Sequence, residues 1–88
     1  MLLDWDEANL AHVARHGVRP EEAEQVLRTR PLVAEVQYRS GERRVLCYGR
    51  TEKQRLLTVV FTERHGKTRV VTAFPMKRKL REAYEGRE

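Results

Sequence analysis

Residues 55–74, RLLTVVFTERHGKTRVVTAF, decide the fold. Two runs rich in Leu, Val, Thr and Phe, Arg55 to Glu63 and Thr68 to Phe74, flank the pair His65-Gly66. Runs of this length and composition suit pleated strands, and a glycine beside a residue that tolerates positive φ suits a tight hairpin turn. The stretch therefore predicts two antiparallel strands. Toward the N-terminus, Arg43 to Arg50 reads as another strand. Before it, Leu32, Ala34, Val36 and Tyr38 alternate with Val33, Glu35, Gln37 and Arg39, the pattern of a half-buried strand that ends at Ser40-Gly41. Four consecutive strands with short connections predict an antiparallel meander.

Outside this block the period changes from 2 to about 3.6. Asp6 to Arg15 predicts a helix capped by Asp6 or Asp4, with Leu10, Val13 and Ala14 inward and His16-Gly17 as its stop. Pro20 opens a second helix, with Glu21 and Glu22 where the helix dipole favours acids and Ala23, Val26 and Leu27 inward. It ends between Arg28 and Arg30, before Pro31. Pro75 opens a last helix in which Met76, Leu80, Ala83 and Tyr84 form an apolar stripe and Lys77, Arg78, Lys79 and Arg81 occupy the other positions. The expected class is α+β: two N-terminal helices, a four-stranded antiparallel sheet and a C-terminal helix, with residues 1–88 as one domain.

A chain of 88 residues buries only about 60 to 65 per cent of its unfolded surface, so an additional buried interface, including self-association into a homo-oligomer, would stabilise it. Mean hydropathy is −0.72, yet the apolar residues are grouped in runs, which argues for a folded domain over disorder. Cys47 is the only cysteine, which excludes an intramolecular disulfide and a multi-cysteine zinc site and fits a reducing compartment. Met1 to Asp6 places acids where a secretory signal needs a basic region, and no apolar run has the roughly 18 residues needed to span a bilayer. A cytoplasmic location without membrane contact is expected.

The net charge of +5 is unevenly spread. Residues 1–26 carry six carboxylates against two arginines, whereas the remainder carries sixteen cations against seven carboxylates. Most of those cations are arginines, whose planar guanidinium matches phosphate with two parallel hydrogen bonds. A polyanion such as RNA is the expected partner; the competing reading is an ordinary solvated surface. Strand alternation sends Arg44, Leu46, Tyr48 and Arg50 to one face, and Arg69, Val71 and Ala73 to one face of the last strand. With Lys77, Arg78 and Lys79 beside them, these arginines would form a phosphate path, and Tyr48 or Tyr84 would stack on an unpaired base. Glycine-rich phosphate loops, nucleophile elbows and metal-ligand sets are absent from the sequence, so neither a metal nor another cofactor is expected. RNA cleavage without metal needs a proton acceptor for the 2′-hydroxyl, a proton donor for the leaving oxygen and cations around the phosphorus. His12 and His16, four apart on one helix face, are candidates, as are Glu35 and Glu63. A dipole-facing or surface role for the histidines and ion pairing for the glutamates are the structural alternatives.

The order of short segments resembles the BrnT family. The resemblance runs through Trp5-Asp6-Glu7, Asn9, Arg15-His16-Gly17-Val18, Glu21-Glu22-Ala23, Gly49-Arg50-Thr51, Leu57, Val59-Val60-Phe61-Thr62, Arg69-Val70-Val71-Thr72-Ala73, Arg78, Arg81 and Tyr84. It implies a RelE-like fold, a ribonuclease toxin of a type II toxin–antitoxin pair acting on messenger RNA, and a ribbon-helix-helix antitoxin as protein partner. On that basis Arg50, Arg69, Arg78 and His16 are the expected catalytic residues, with Arg44, Tyr48, Lys77, Lys79 and Tyr84 contacting nucleic acid. Phe74 and Leu80 stand where the family commonly carries an arginine and a glutamate. They motivate an alternative: a BrnT-like module that binds nucleic acid or an acidic antitoxin-like partner without cutting.

Overall fold

Asp6 starts the first helix because its carboxylate accepts the amides of Ala8 and Asn9 at 3.0 and 3.1 Å, while Asn9 Oδ1 accepts the Asp6 amide at 2.8 Å. In the computed structural model, which describes residues 1–86, this helix is α1, Glu7–Arg15, stopped by Gly17 at φ 71°. Helix α2 spans Pro20–Arg28, and Glu22 caps it by accepting the Arg19 amide at 3.0 Å. Four strands follow: β1 Leu32–Arg39, β2 Glu42–Arg50, β3 Leu56–Arg64 and β4 Lys67–Pro75. They pair antiparallel in the order β1-β2-β3-β4. Two-residue turns at Ser40-Gly41 and His65-Gly66 join β1 to β2 and β3 to β4, with φ of 51° and 78°, and 53° and 75°. Positive φ at both positions gives the turn a twist that matches the strands it joins. Helix α3, Arg78–Gly86, completes the expected α+β architecture.

The core lies between the N-terminal helices and one face of the sheet. Val13, Val18, Ala23, Val26 and Leu27 meet Cys47, Leu57, Val59, Val70 and Ala73, with Leu3, Trp5 and Phe61 at the margin. Each fully buried aliphatic side chain of this kind contributes about 1.5–3 kcal/mol. The α2 packing is close at Gly49, where an added Cβ would come within 2.9 Å of Val26 Cγ1.

Four expectations need correction. Leu10 and Ala14 are exposed, and the inward neighbour of Val13 is Asn9, whose amide donates to the Asp4 and Val70 carbonyls at 2.9 and 3.0 Å. Strand β1 is not half-buried: seven of its eight residues are exposed, because it lies at the end of the sheet, beyond the reach of the core. Pro75 does not open the last helix; it pairs with Leu57 at the end of β4, and the Met76 amide donates to the Leu56 carbonyl at 3.0 Å, so the helix begins at Arg78 and leaves Lys77 outside. Ala83 in α3 is exposed, whereas Leu80 and Tyr84 are half-buried.

Candidate nucleic-acid interface

The register sets which side chains share the second face of the sheet. On β2, buried Val45, Cys47 and Gly49 alternate with half-buried Arg44, Leu46, Tyr48 and Arg50, so those four project together as expected. Across the strands, Gln37, Arg44, Thr62 and Arg69 form one row. Glu35, Leu46, Val60 and Thr72 form the next, and Leu32, Tyr48, Thr58 and Phe74 the third. Arg69 reaches this face through an irregularity in β4. Val60 lies opposite Thr72 but Phe61 lies opposite Val70, so Val71 is an extra residue in the strand. The expected common face of Arg69, Val71 and Ala73 is thereby broken: Ala73 pairs with Val59 in the core, and Arg69 turns toward Arg44.

Helix α1 runs along β4 and brings His12 to this end of the face. His12, Ala8 and Asn9 line a cleft of about 210 Å³ with Glu42, Arg44, Thr62, Arg64, Arg69, Val70 and Val71. The arginines here are ordered by carboxylates. Glu42 accepts Arg44 Nε at 2.8 Å and Arg64 Nη2 at 3.1 Å, and those two guanidinium groups hold its carboxyl below the usual range. Arg69 lies 2.9 Å from Asp6 and 3.6 Å from Asp4. Its hydrogen bond to Asp6 lowers the carboxyl and raises the guanidinium. The Thr72 hydroxyl is buried without a hydrogen-bond partner, beside the row that carries Arg44 and Arg69.

His16 lies toward the aromatic row, its ring 6.0 Å from that of His12 and 5.8 Å from that of Phe74. Tyr48 and Phe74 are half-buried on either side of Thr58. Arg50 stands over the ring of Tyr84 at 5.6 Å from its centroid and donates to Gln54 Oε1 at 2.7 Å, which joins α3 to the same face. Arg78 is 84% exposed, 3.4 Å from Glu82, and lines a second cleft with Arg55 and Arg81. Lys77 and Lys79 are exposed. Arg44 and Arg69 thus line one cleft with His12, and Arg78 lines another with Arg55 and Arg81. The proposed bases also separate. Glu63 is the neighbour of Thr62 on β3, faces the other way and accepts the Thr68 hydroxyl at 3.0 Å, whereas Glu35 is exposed opposite Leu46. The sequence reading missed Glu42 and Thr72, and assigned no site role to Asn9. The Asp6-x-x-Asn9 spacing carried the capping signal for Asn9; nothing local marked Thr72. Among the described residues no three His, Cys, Asp or Glu side chains group as a metal site.

The second face of the sheet thus carries Arg44 and Arg69 in one row and half-buried Tyr48 and Phe74 in another, with His12 and His16 alongside. Residues 5–79 match the model of a family described as ribonuclease toxin, BrnT, of type II toxin–antitoxin system, and the chain belongs to that family. No curated protein matches it. Family membership implies an RNA substrate and an antitoxin partner. No helix among the described residues is long and apolar enough to cross a membrane.

Proposed function

We propose that the chain is an endoribonuclease toxin that cuts messenger RNA without a metal ion. The observation that carries this reading is the meeting of His12, Arg44 and Arg69 around one cleft. An imidazole on α1 takes the 2′-hydroxyl proton, the 2′-oxygen attacks phosphorus, and the bond to the 5′-oxygen breaks as that oxygen is protonated. Arg44 and Arg69 stabilise the extra negative charge on the pentacoordinate phosphorus, with His16 as second proton carrier. Arg50, Arg78, Lys77 and Lys79 hold phosphates farther along, and bases stack on Tyr48, Phe74 or Tyr84. The basic surface suits a cytoplasmic antitoxin of the ribbon-helix-helix class.

Two observations favour the rival reading, a module that binds without cutting: Arg69 is already held by Asp4 and Asp6, and Phe74 lies beside His16. Labelled structured RNA incubated with the protein in EDTA, across a salt series, separates the two. Cleavage that survives EDTA and falls about 100-fold or more in a folded His12→Ala variant supports the ribonuclease. Undiminished cleavage in both His12→Ala and His16→Ala removes the histidines from the chemistry, and salt-sensitive binding without cleavage establishes the binding module.

A further inference from the structure

The two edges of the sheet are finished differently. At β4 the Thr68 amide donates to the Leu2 carbonyl at 2.7 Å and the Asp4 amide to the Thr68 carbonyl at 2.9 Å, a short parallel bridge, and Asn9 satisfies the Val70 carbonyl. At the opposite end, β1 pairs with β2 alone and exposes Val33 at 56%, Val36 at 40% and Tyr38 at 73%. An eight-residue edge with no internal proline and apolar side chains on both faces is a template for another strand. From Glu35 to Arg39 its pairing with β2 is regular.

That regular stretch, Glu35-Val36-Gln37-Tyr38-Arg39, is complementary to itself about Gln37. Laid antiparallel on a second copy, each Glu35 meets an Arg39 on one face, each Val36 meets a Tyr38 on the other, and the two Gln37 residues meet at the centre. A slip of one residue in either direction sets Glu35 against Tyr38 or Ser40 and loses both charge pairs. We propose that β1 pairs with β1 of a second copy of this chain across a two-fold axis through Gln37, joining two four-stranded sheets into one. An axis normal to the sheet keeps like faces on the same side. The rows that carry Arg44 and Arg69 in the two copies then lie on one continuous surface.

The test is light scattering on the purified chain over a concentration series. A dimer is expected that weakens about tenfold or more in Arg39→Glu and in Glu35→Arg, since each change reverses two symmetry-related pairs. The double variant E35R/R39E restores it. Gln37→Cys gives a disulfide-linked dimer on mild oxidation, because directly opposed residues have Cα atoms within disulfide range, and Tyr38→Cys does not. Cys47 does not compete: it is buried, and burial pushes its thiol up to about 12. A monomer at every concentration, a dimer indifferent to the single charge reversals, or a double variant that stays monomeric overturns the proposal. So does protection of the β1 amides from hydrogen exchange that appears only when an antitoxin is added.

Discussion

Arg69 grips the carboxylate of Asp6, 63 residues earlier in the chain, with both terminal nitrogens at 2.9 and 3.1 Å. The same carboxylate caps α1, so one arginine serves the helix start and the candidate phosphate site together. Asp6 has its carboxyl held below the ordinary range, and a carboxyl depressed in the folded state contributes stability above its unfolded value that is lost as pH falls through the folded one. Arg69→Ala should therefore be less stable than the parent chain at pH 7, with the difference closing below about pH 4. Urea melts at several pH values measure this; a gap independent of pH would separate the pair from the stability of the fold.

Asn9→Ala should cost about 1–3 kcal/mol. The residue is 3% exposed, and its amide is the partner of the Asp4 and Val70 carbonyls. Removing it strands the Val70 carbonyl under α1. Chemical denaturation checks the figure, and an Asn9→Asp variant should be no better, because it keeps the cap but loses the donor.

Gly49→Ala should destabilise by about 1–3 kcal/mol through overpacking. The added methyl meets Val26 Cγ1 at 2.9 Å and Pro31 Cβ at 3.7 Å. Shortening the obstacle should relieve it: the double variant G49A/V26A is expected to lose less than the sum of the two single losses, which thermal melts of all four proteins would measure.

Arg44→Ala and Arg78→Ala test the two clefts separately. In a His12→Ala background, which avoids cleavage during the measurement, each should weaken RNA binding across sequences. Each should also lower the slope of log affinity against log salt by about 0.7, the value for one phosphate contact on a single strand. An unchanged slope for one variant assigns that arginine to the solvated surface.

Much of the fold was legible because its signals are local. His65-Gly66 marks its own hairpin, Asp6 and Gly17 bracket α1, and Pro20 with Glu21 and Glu22 starts α2. The site was legible in residue types more than in placement. Arg44 and Tyr48 share a face as strand alternation requires, but the spacing of Arg69, Val71 and Ala73 looks regular until β3 supplies a register, and only the register exposes the extra residue at Val71. An edge strand and a central strand alternate alike, so the exposure of β1 had no local mark. The pairing of Arg69 with Asp6 is a contact across most of the chain, and such contacts follow from topology rather than from neighbouring residues.

The bridge between Leu2, Asp4 and Thr68 also has a bearing on synthesis. A ribosome releases residues 2–4 before β4 exists to receive them, so these residues wait unpartnered while the meander is made, whereas the α1 cap closes on its own neighbours Ala8 and Asn9. Arg44, His12 and Arg69 come together only once β4 has emerged and closed against that waiting segment. A nascent chain of this family member is therefore without its basic cleft until β4 has been made and has folded back.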